Sequence, residues 1–284
     1  RTMLAQIVAE SFGADVKEIR VVTGDTTTIP IGIGASASSQ SVTAGSSAYV
    51  ASQEVREKVL NIAAHILEAS EEDLEIADGK VSVRGVPGME VSLADVAAAT
   101  AGTAGYALPG GVKPGLEADA AEIFDEMTYS GGTHVVEVEV DVDTGAVEIL
   151  KYKITSDCGR MINPMIVDGQ MVGGAAHGIG TSLYEHLIYD DQAQPQTTTL
   201  AEYLIPTATQ IPQIDIIHND FPSPLNPLGI KGVGESGVIP APAAIISAVE
   251  NALSDFHVRI SETPISPQRI VEMVDAGRRK AAEG

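Results

Sequence analysis

The sequence predicts an α+β fold arranged as two lobes. Segments of helical period and segments of alternating pattern are both present, but they do not succeed one another as regular βαβ units. Two hairpin signals lie far apart, at Asp78-Gly79 and at Asp143-Thr144-Gly145. Between them, residues 101–118 are glycine-rich with Pro109 and Pro114, as in a connector.

From the start of the chain, Ala5, Ile7, Val8 and Phe12 recur at helical spacing and predict a helix over residues 2–13. Arg1 stands inside that pattern with no initiator Met, which predicts a fragment or a processed piece. Ile19-Arg20-Val21-Val22 reads as a short strand closed by Thr23-Gly24-Asp25. Residues 26–43, rich in Gly, Ser and Thr with Pro30, read as a loop. A long helix follows, with Val55, Val59, Ile62, Ile66 and Leu67 as its apolar stripe. Leu74–Ile76 and Val81–Val83 flank the first hairpin turn, and Ser92 is placed to cap a helix.

Further along, Val136, Val138 and Val140 alternate with polar residues and pair with Val147–Leu150 as the second hairpin. A Gly-rich helix is expected from about Asn163 to Leu187, and strands near 198–205 and 214–218. Residues 241–253 form an Ala/Ile-rich helix, and Ser266-Pro267 opens the last one. The expected lobes are 1–110 and 111–284, joined near 101–126.

Composition narrows the function. The net charge of -22, spread over 39 acidic residues, argues against nucleic acid and anionic membranes as partners. No apolar run approaches the roughly 20 residues of a membrane helix. The single cysteine, Cys158, makes no internal disulfide and holds no iron–sulfur cluster, which fits a reducing cytoplasm. None of the six histidines pairs with a carboxylate at ligand spacing, so a metal would have to arrive inside a cofactor.

Three motifs stand out. Residues Gly232 to Gly237 match G-x-G-x-x-G ahead of a helix, the pattern of a nicotinamide dehydrogenase. That match needs a buried parallel strand before it, and here the prolines at 222, 224 and 227 precede it. Glu235 between glycines offers another reading: a carboxylate that can act as a base at a bulky ligand approaching the backbone. The plainer reading is a solvated loop carboxylate near a helix dipole. Gly32–Ser41 offers small hydroxyls and backbone N–H groups to phosphate or a polar heterocycle, with Ile31 and Ile33 as unexpected apolar members; its plainer reading is a surface loop. In Asp157–Pro164 and Gly169–Gly180, Gln170 is a lone amide in a helix of small residues, and His177 follows on a similar face.

In this order and spacing the motifs resemble the molybdenum-binding subunit of the xanthine dehydrogenase, aldehyde oxidase and aerobic carbon monoxide dehydrogenase family, in its C-terminal part. The resemblance runs through Val21–Thr26, Asp157–Gly180, Tyr203–Thr207 and, most specifically, Asn226–Glu235. It implies a molybdopterin cofactor, expected as the cytosine dinucleotide, whose own dithiolene sulfurs hold the molybdenum. Ser36, Ala37 and Ser38 would bind the cofactor's polar groups, Gln170 the pterin, and Lys231, Gly232, Val233 and Gly234 would line it. Glu235 matches the family's catalytic base, and a buried carboxyl would suit that role.

The implied reaction hydroxylates an aldehyde, an N-heterocycle or a related small substrate with oxygen from water. Electrons would leave through 2Fe-2S and FAD groups on partner subunits or domains, in an oligomer without membrane insertion. The family's first cofactor half would lie before Arg1, so the chain alone is expected to be inactive. The competing class is a cofactor-free scaffold that kept the fold. Three positions depart from common bacterial patterns: Ser38-Ser39-Gln40, His177 and Ser236.

Overall fold

The computed structural model describes the chain except Pro30, Ile31, Ile33, residues 102–107, Gly110, Gly111 and Gly284. The centre of the expected connector and the expected 110/111 lobe boundary thus lie outside the described residues, as do Ile31 and Ile33. The chain forms two compact units: Arg1–Thr128 with Ser223–Ile230, and Tyr129–Pro222 with Lys231–Gly284. Each mixes helices with a small sheet, the α+β class.

In the first unit, α1 (Thr2–Phe12) and α2 (Ser46–Leu67) accompany an antiparallel sheet of β1 (Leu74–Ala77), β2 (Lys80–Val83) and β3 (Glu90–Ser92), followed by α3 (Leu93–Ala99). Asp78 and Gly79 turn the hairpin with φ of 49° and 74°, the left-handed pair that matches strand twist. Its core joins Val59, Ile62 and Ala63 of α2 to Leu74, Val81, Val91, Val96 and Ala99. Ile66, expected on the buried stripe of α2, is exposed, because the stripe turns through Ala63 instead. Ser92 caps α3: its hydroxyl accepts from the Asp95 N–H at 3.0 Å and donates to Oδ2 of the same residue at 2.6 Å.

Two strand expectations fail. Ile19–Val22 follows a 3₁₀ turn at Val16–Glu18 and has no strand partner among the described residues. Residues 198–205 form a turn flanked by irregular backbone, with the Glu202 carboxylate accepting from the N–H groups of Thr198 and Thr199. The expected 26–43 loop also ends early, since helical geometry begins at Gln40 and passes through a π-helical turn at Ser41–Gly45 into α2.

The second unit is built on a sheet ordered β4 (Gly131–Val140), β5 (Val147–Asp157), β6 (Ile214–His218), with α4 (Pro164–Leu183), α5 (Ala241–Ala252) and α6 (Pro267–Glu283). β4 and β5 are antiparallel, whereas β5 and β6 are parallel and joined across α4. A bulge shifts the register: Glu137 faces Lys151 but Val138 faces Ile149, so Leu150 is the extra residue. The inward face therefore moves from Val147 and Ile149 to Tyr152 and Ile154, and Leu150 is left exposed. Tyr152, Ile154, Met171, Ala175, Ile179, Ile245, Val249 and Ile270 form the core. It is chiefly aliphatic, as a chain without tryptophan must make it.

Candidate functional site

The second unit gathers two of the three motifs around one turn. Helix α4 starts at Asn163, whose side chain accepts from the Ile166 N–H at 3.1 Å, with Pro164 in its first turn. Met171, Ala175, Gly178 and Ile179 face inward, while Gly169, Gln170, Gly173 and His177 are exposed. Gly174 and Gly178 explain the helix's small-residue pattern. A Cβ on Gly174 would lie 2.8 Å from the backbone of Gly237 and Val238, and one on Gly178 would lie 2.3 Å from the Ala241 Cβ. From the other side, a Cβ on Gly237 would come within 2.5 Å of the Met171 carbonyl oxygen and 3.1 Å of that of Gln170. Backbone thus meets backbone, and the 232–237 turn is seated directly on the part of α4 that carries Gln170.

Three further contacts fix that turn. The Lys231 ammonium pairs with Asp157 Oδ2 at 2.6 Å, with both side chains largely enclosed. Lys231 N–H donates to the Cys158 carbonyl at 2.8 Å, so the end of β5 and the start of the turn are laced together. The hydroxyls of Ser130 and Ser236 lie 2.7 Å apart. Within the turn, the Glu235 carbonyl accepts from the N–H groups of Val238 and Ile239 at 3.1 and 3.2 Å. Burial opposes charge on Asp157, but the Lys231 ammonium and the Gly159 and Phe221 N–H groups hold its carboxyl below the usual carboxylate range.

Glu235 lies on the exposed side of the turn beside exposed Gly234, so the expectation of a buried carboxylate is corrected for this chain: it is exposed. Gly232 is buried and Val233 half-buried, leaving Gly234 and Glu235 as the outward part of the motif. Gly169 and Gly173 have nothing within 4 Å of an added Cβ, so α4 presents open backbone beside the Gln170 amide. A flat polar group could lie there against glycine and bond the amide.

The first unit carries Ser36, Ala37 and Ser38. Gly34, Ala37 and Ser38 have φ of 71°, 48° and 57°. Two successive non-glycine residues in the left-handed region cost on the order of 1–3 kcal/mol each, and such strain clusters at ligand-holding loops. The loop is braced by the Ser39 N–H and hydroxyl, which donate to the Ser36 carbonyl at 3.0 and 2.7 Å, and it delivers its hydroxyls at the π-helical entry to α2. The first unit thus offers the exposed Ser36 hydroxyl and the half-buried Ser38, while the second separately offers the exposed Gln170 carboxamide beside open glycine backbone. Among the described residues no group of three or more His, Cys, Asp or Glu side chains is placed to hold a metal ion.

Sequence reasoning gave Asp157 no role and passed over Ser130, His218 and Asp168. His218 Nε2 lies 2.6 Å from Asp168 Oδ1, and Ser156 is the strand partner of His218. This Ser–His–Asp set is no nucleophilic triad, because Ser156 is 2% exposed. Cys158 is buried as well, and burial, reinforced by the Asp157 charge, pushes its thiol up and away from the reactive thiolate.

Comparison with known proteins places this geometry. Residues 1–212 match the model of the molybdopterin cofactor-binding domain. The chain is 40% identical over 271 residues to the nicotine 6-hydroxylase large subunit of Paenarthrobacter nicotinovorans, covering 95% of this chain and 33% of that one. It is 33% identical to the carbon monoxide dehydrogenase large chain of Hydrogenophaga pseudoflava, with 95% and 33% covered. The crystal structure of quinoline 2-oxidoreductase from Pseudomonas putida 86 superposes with a TM-score of 0.87 at 43% identity, over 96% of this chain and 35% of that one. The chain therefore spans about one third of the length of these relatives. The match of residues 1–212 to the molybdopterin cofactor-binding domain, together with a fold shared with those large subunits, makes this chain a member of the molybdenum hydroxylase family, in the C-terminal part of its large subunit.

Proposed function

We propose that this chain supplies part of the active site of a molybdenum hydroxylase that oxidises an aromatic N-heterocycle with oxygen from water. The observation that carries the reading is the seating of the Glu235 turn on the Gln170 helix through Gly174 and Gly237. The substrate class rests on similarity: the relatives named for quinoline and nicotine stand at 43% and 40% identity, the one named for carbon monoxide at 33%.

The bound molybdopterin, in its cytosine dinucleotide form, would supply the two-electron redox chemistry. Gln170 would bond the pterin through its amide, and Ser36, Ala37 and Ser38 would hold the polar groups of the cofactor. Lys231 to Gly234 would line it, Lys231 through its backbone because its ammonium is engaged by Asp157. Glu235 would accept, at a carboxylate oxygen, the proton of the water-derived oxygen as that oxygen joins the substrate carbon. Two electrons would then pass to iron–sulfur and flavin partners, and the N-terminal half of the large subunit would complete the site.

We further propose lobes of about 1–110 and 111–284, a cytoplasmic setting and an oligomeric complex. No helix among the described residues is long and apolar enough to cross a membrane. The test is metal and pterin analysis of the purified complex that contains this chain. Molybdenum and pterin at one per copy of this chain are expected. A folded complex with neither would point to the scaffold class.

A further inference from the structure

Glu235 sits in a turn of glycines, and glycines by themselves fix nothing. The contacts around it are unevenly strong. Gly237, two residues after it, is pressed against the α4 backbone. Ser236, one residue after it, meets the Ser130 hydroxyl at 2.7 Å. On the leading side a charged anchor is Lys231, 2.6 Å from Asp157 Oδ2. That carboxylate is in turn held by the Gly159 N–H at 2.9 Å, so it is itself fixed at the end of β5. A charge-assisted bond between largely enclosed partners is short and directional, and weakly screened by solvent.

We propose that Asp157 and Lys231 are positioning residues: their ion pair clamps the leading end of the 232–237 turn to β5 and so sets where the Glu235 carboxylate stands. The two paired side chains act through the turn, and any contact of Lys231 with the cofactor is left to its backbone. The inference rests on reading Glu235 as the base, but the mechanical claim can be tested separately. Without the clamp, the leading end keeps only the Lys231 N–H bond to the Cys158 carbonyl, and the turn loosens there, so Glu235 samples positions away from the reacting atoms.

The experiment compares Lys231→Met and Lys231→Arg in the enzyme that carries this chain. Amide exchange is followed at Ser236, Val238 and Ile239, whose N–H groups close the turn. Turnover is followed with quinoline as the probe substrate. Lys231→Met is expected to speed exchange at those amides about tenfold, the scale of one lost charged hydrogen bond. It should lower kcat by a similar factor with KM unchanged, and Lys231→Arg should restore both. Should Lys231→Met fail to accumulate, Asp157→Asn removes the charge but keeps an acceptor for Gly159, and the same exchange response is expected. Unchanged exchange at the three amides in a folded variant overturns the proposal. So does a loss of turnover that appears wholly in KM. If Glu235→Gln keeps full turnover, the base assignment falls while the exchange result still decides the clamp.

Discussion

Gly174→Ala probes the seating of the Glu235 turn most sharply. The added methyl would lie 2.8 Å from the Cα and carbonyl carbon of Gly237. Carbon pairs rest at roughly 3.5 Å or more, so the turn must retreat by about 0.7 Å. Overpacking of this kind costs about 1–3 kcal/mol. Replacing a helical glycine by alanine returns about 1 kcal/mol of propensity. The net is about 0–2 kcal/mol of destabilisation, which lowers Tm by up to about 8 °C at roughly 2–4 °C per kcal/mol. Gly173→Ala is the matched control for stability alone, since nothing lies within 4 Å of its added methyl and propensity should raise Tm, whereas its turnover would fall if a flat cofactor group lies against that face. A misplacement of about 1 Å can cost about 100-fold in rate, so Gly174→Ala should lose about tenfold or more in kcat. Thermal unfolding and steady-state kinetics of the two variants side by side are the assay. Equal stability and full turnover in Gly174→Ala would refute the backbone-to-backbone seating.

Two more predictions concern the frame that carries the site. Burial pushes the half-buried His134 imidazole below its ordinary pKa of 6.5, while its Nδ1 meets the Tyr152 hydroxyl at 2.9 Å. The unfolded chain therefore takes up the proton first as pH falls. Stability is full above about pH 6.5 and is lost as pH drops from there through the lower folded value. His134→Gln should flatten that loss in unfolding titrations over about pH 5–8, and an unchanged slope would argue against it. Ser92→Ala removes both reciprocal bonds that cap α3, and should cost about 1 kcal/mol by denaturant titration.

What the sequence disclosed was local. The Asp78-Gly79 turn, the Ser92 cap and the Ser266-Pro267 start signal themselves within a few residues, and each appears where the pattern put it. What it hid depended on distant partners. Ile19–Val22 has strand chemistry but no strand partner among the described residues, and backbone pairing rather than side-chain pattern makes a strand. The bulge at Leu150 reverses the inward face in mid-strand, which no two-residue period reveals. At the site, glycine spacing and the odd amide drew attention to Glu235 and Gln170. The pairings of Asp157 with Lys231 and of Ser130 with Ser236 were hidden, because the partners lie 74 and 106 residues apart.

Glu235 is proposed to accept a proton at a molybdopterin held partly by this chain. Glu235→Gln tests it most directly, because the amide keeps the side chain's shape and hydrogen-bond reach but cannot take up the proton. Molybdenum content should match that of the parent complex, since the proposed cofactor contacts lie at Ser36–Ser38, Gln170 and Lys231–Gly234. Turnover in the fully loaded variant should fall by about 10²–10⁴-fold, the usual contribution of a positioned base. Full turnover at normal molybdenum content would contradict the account.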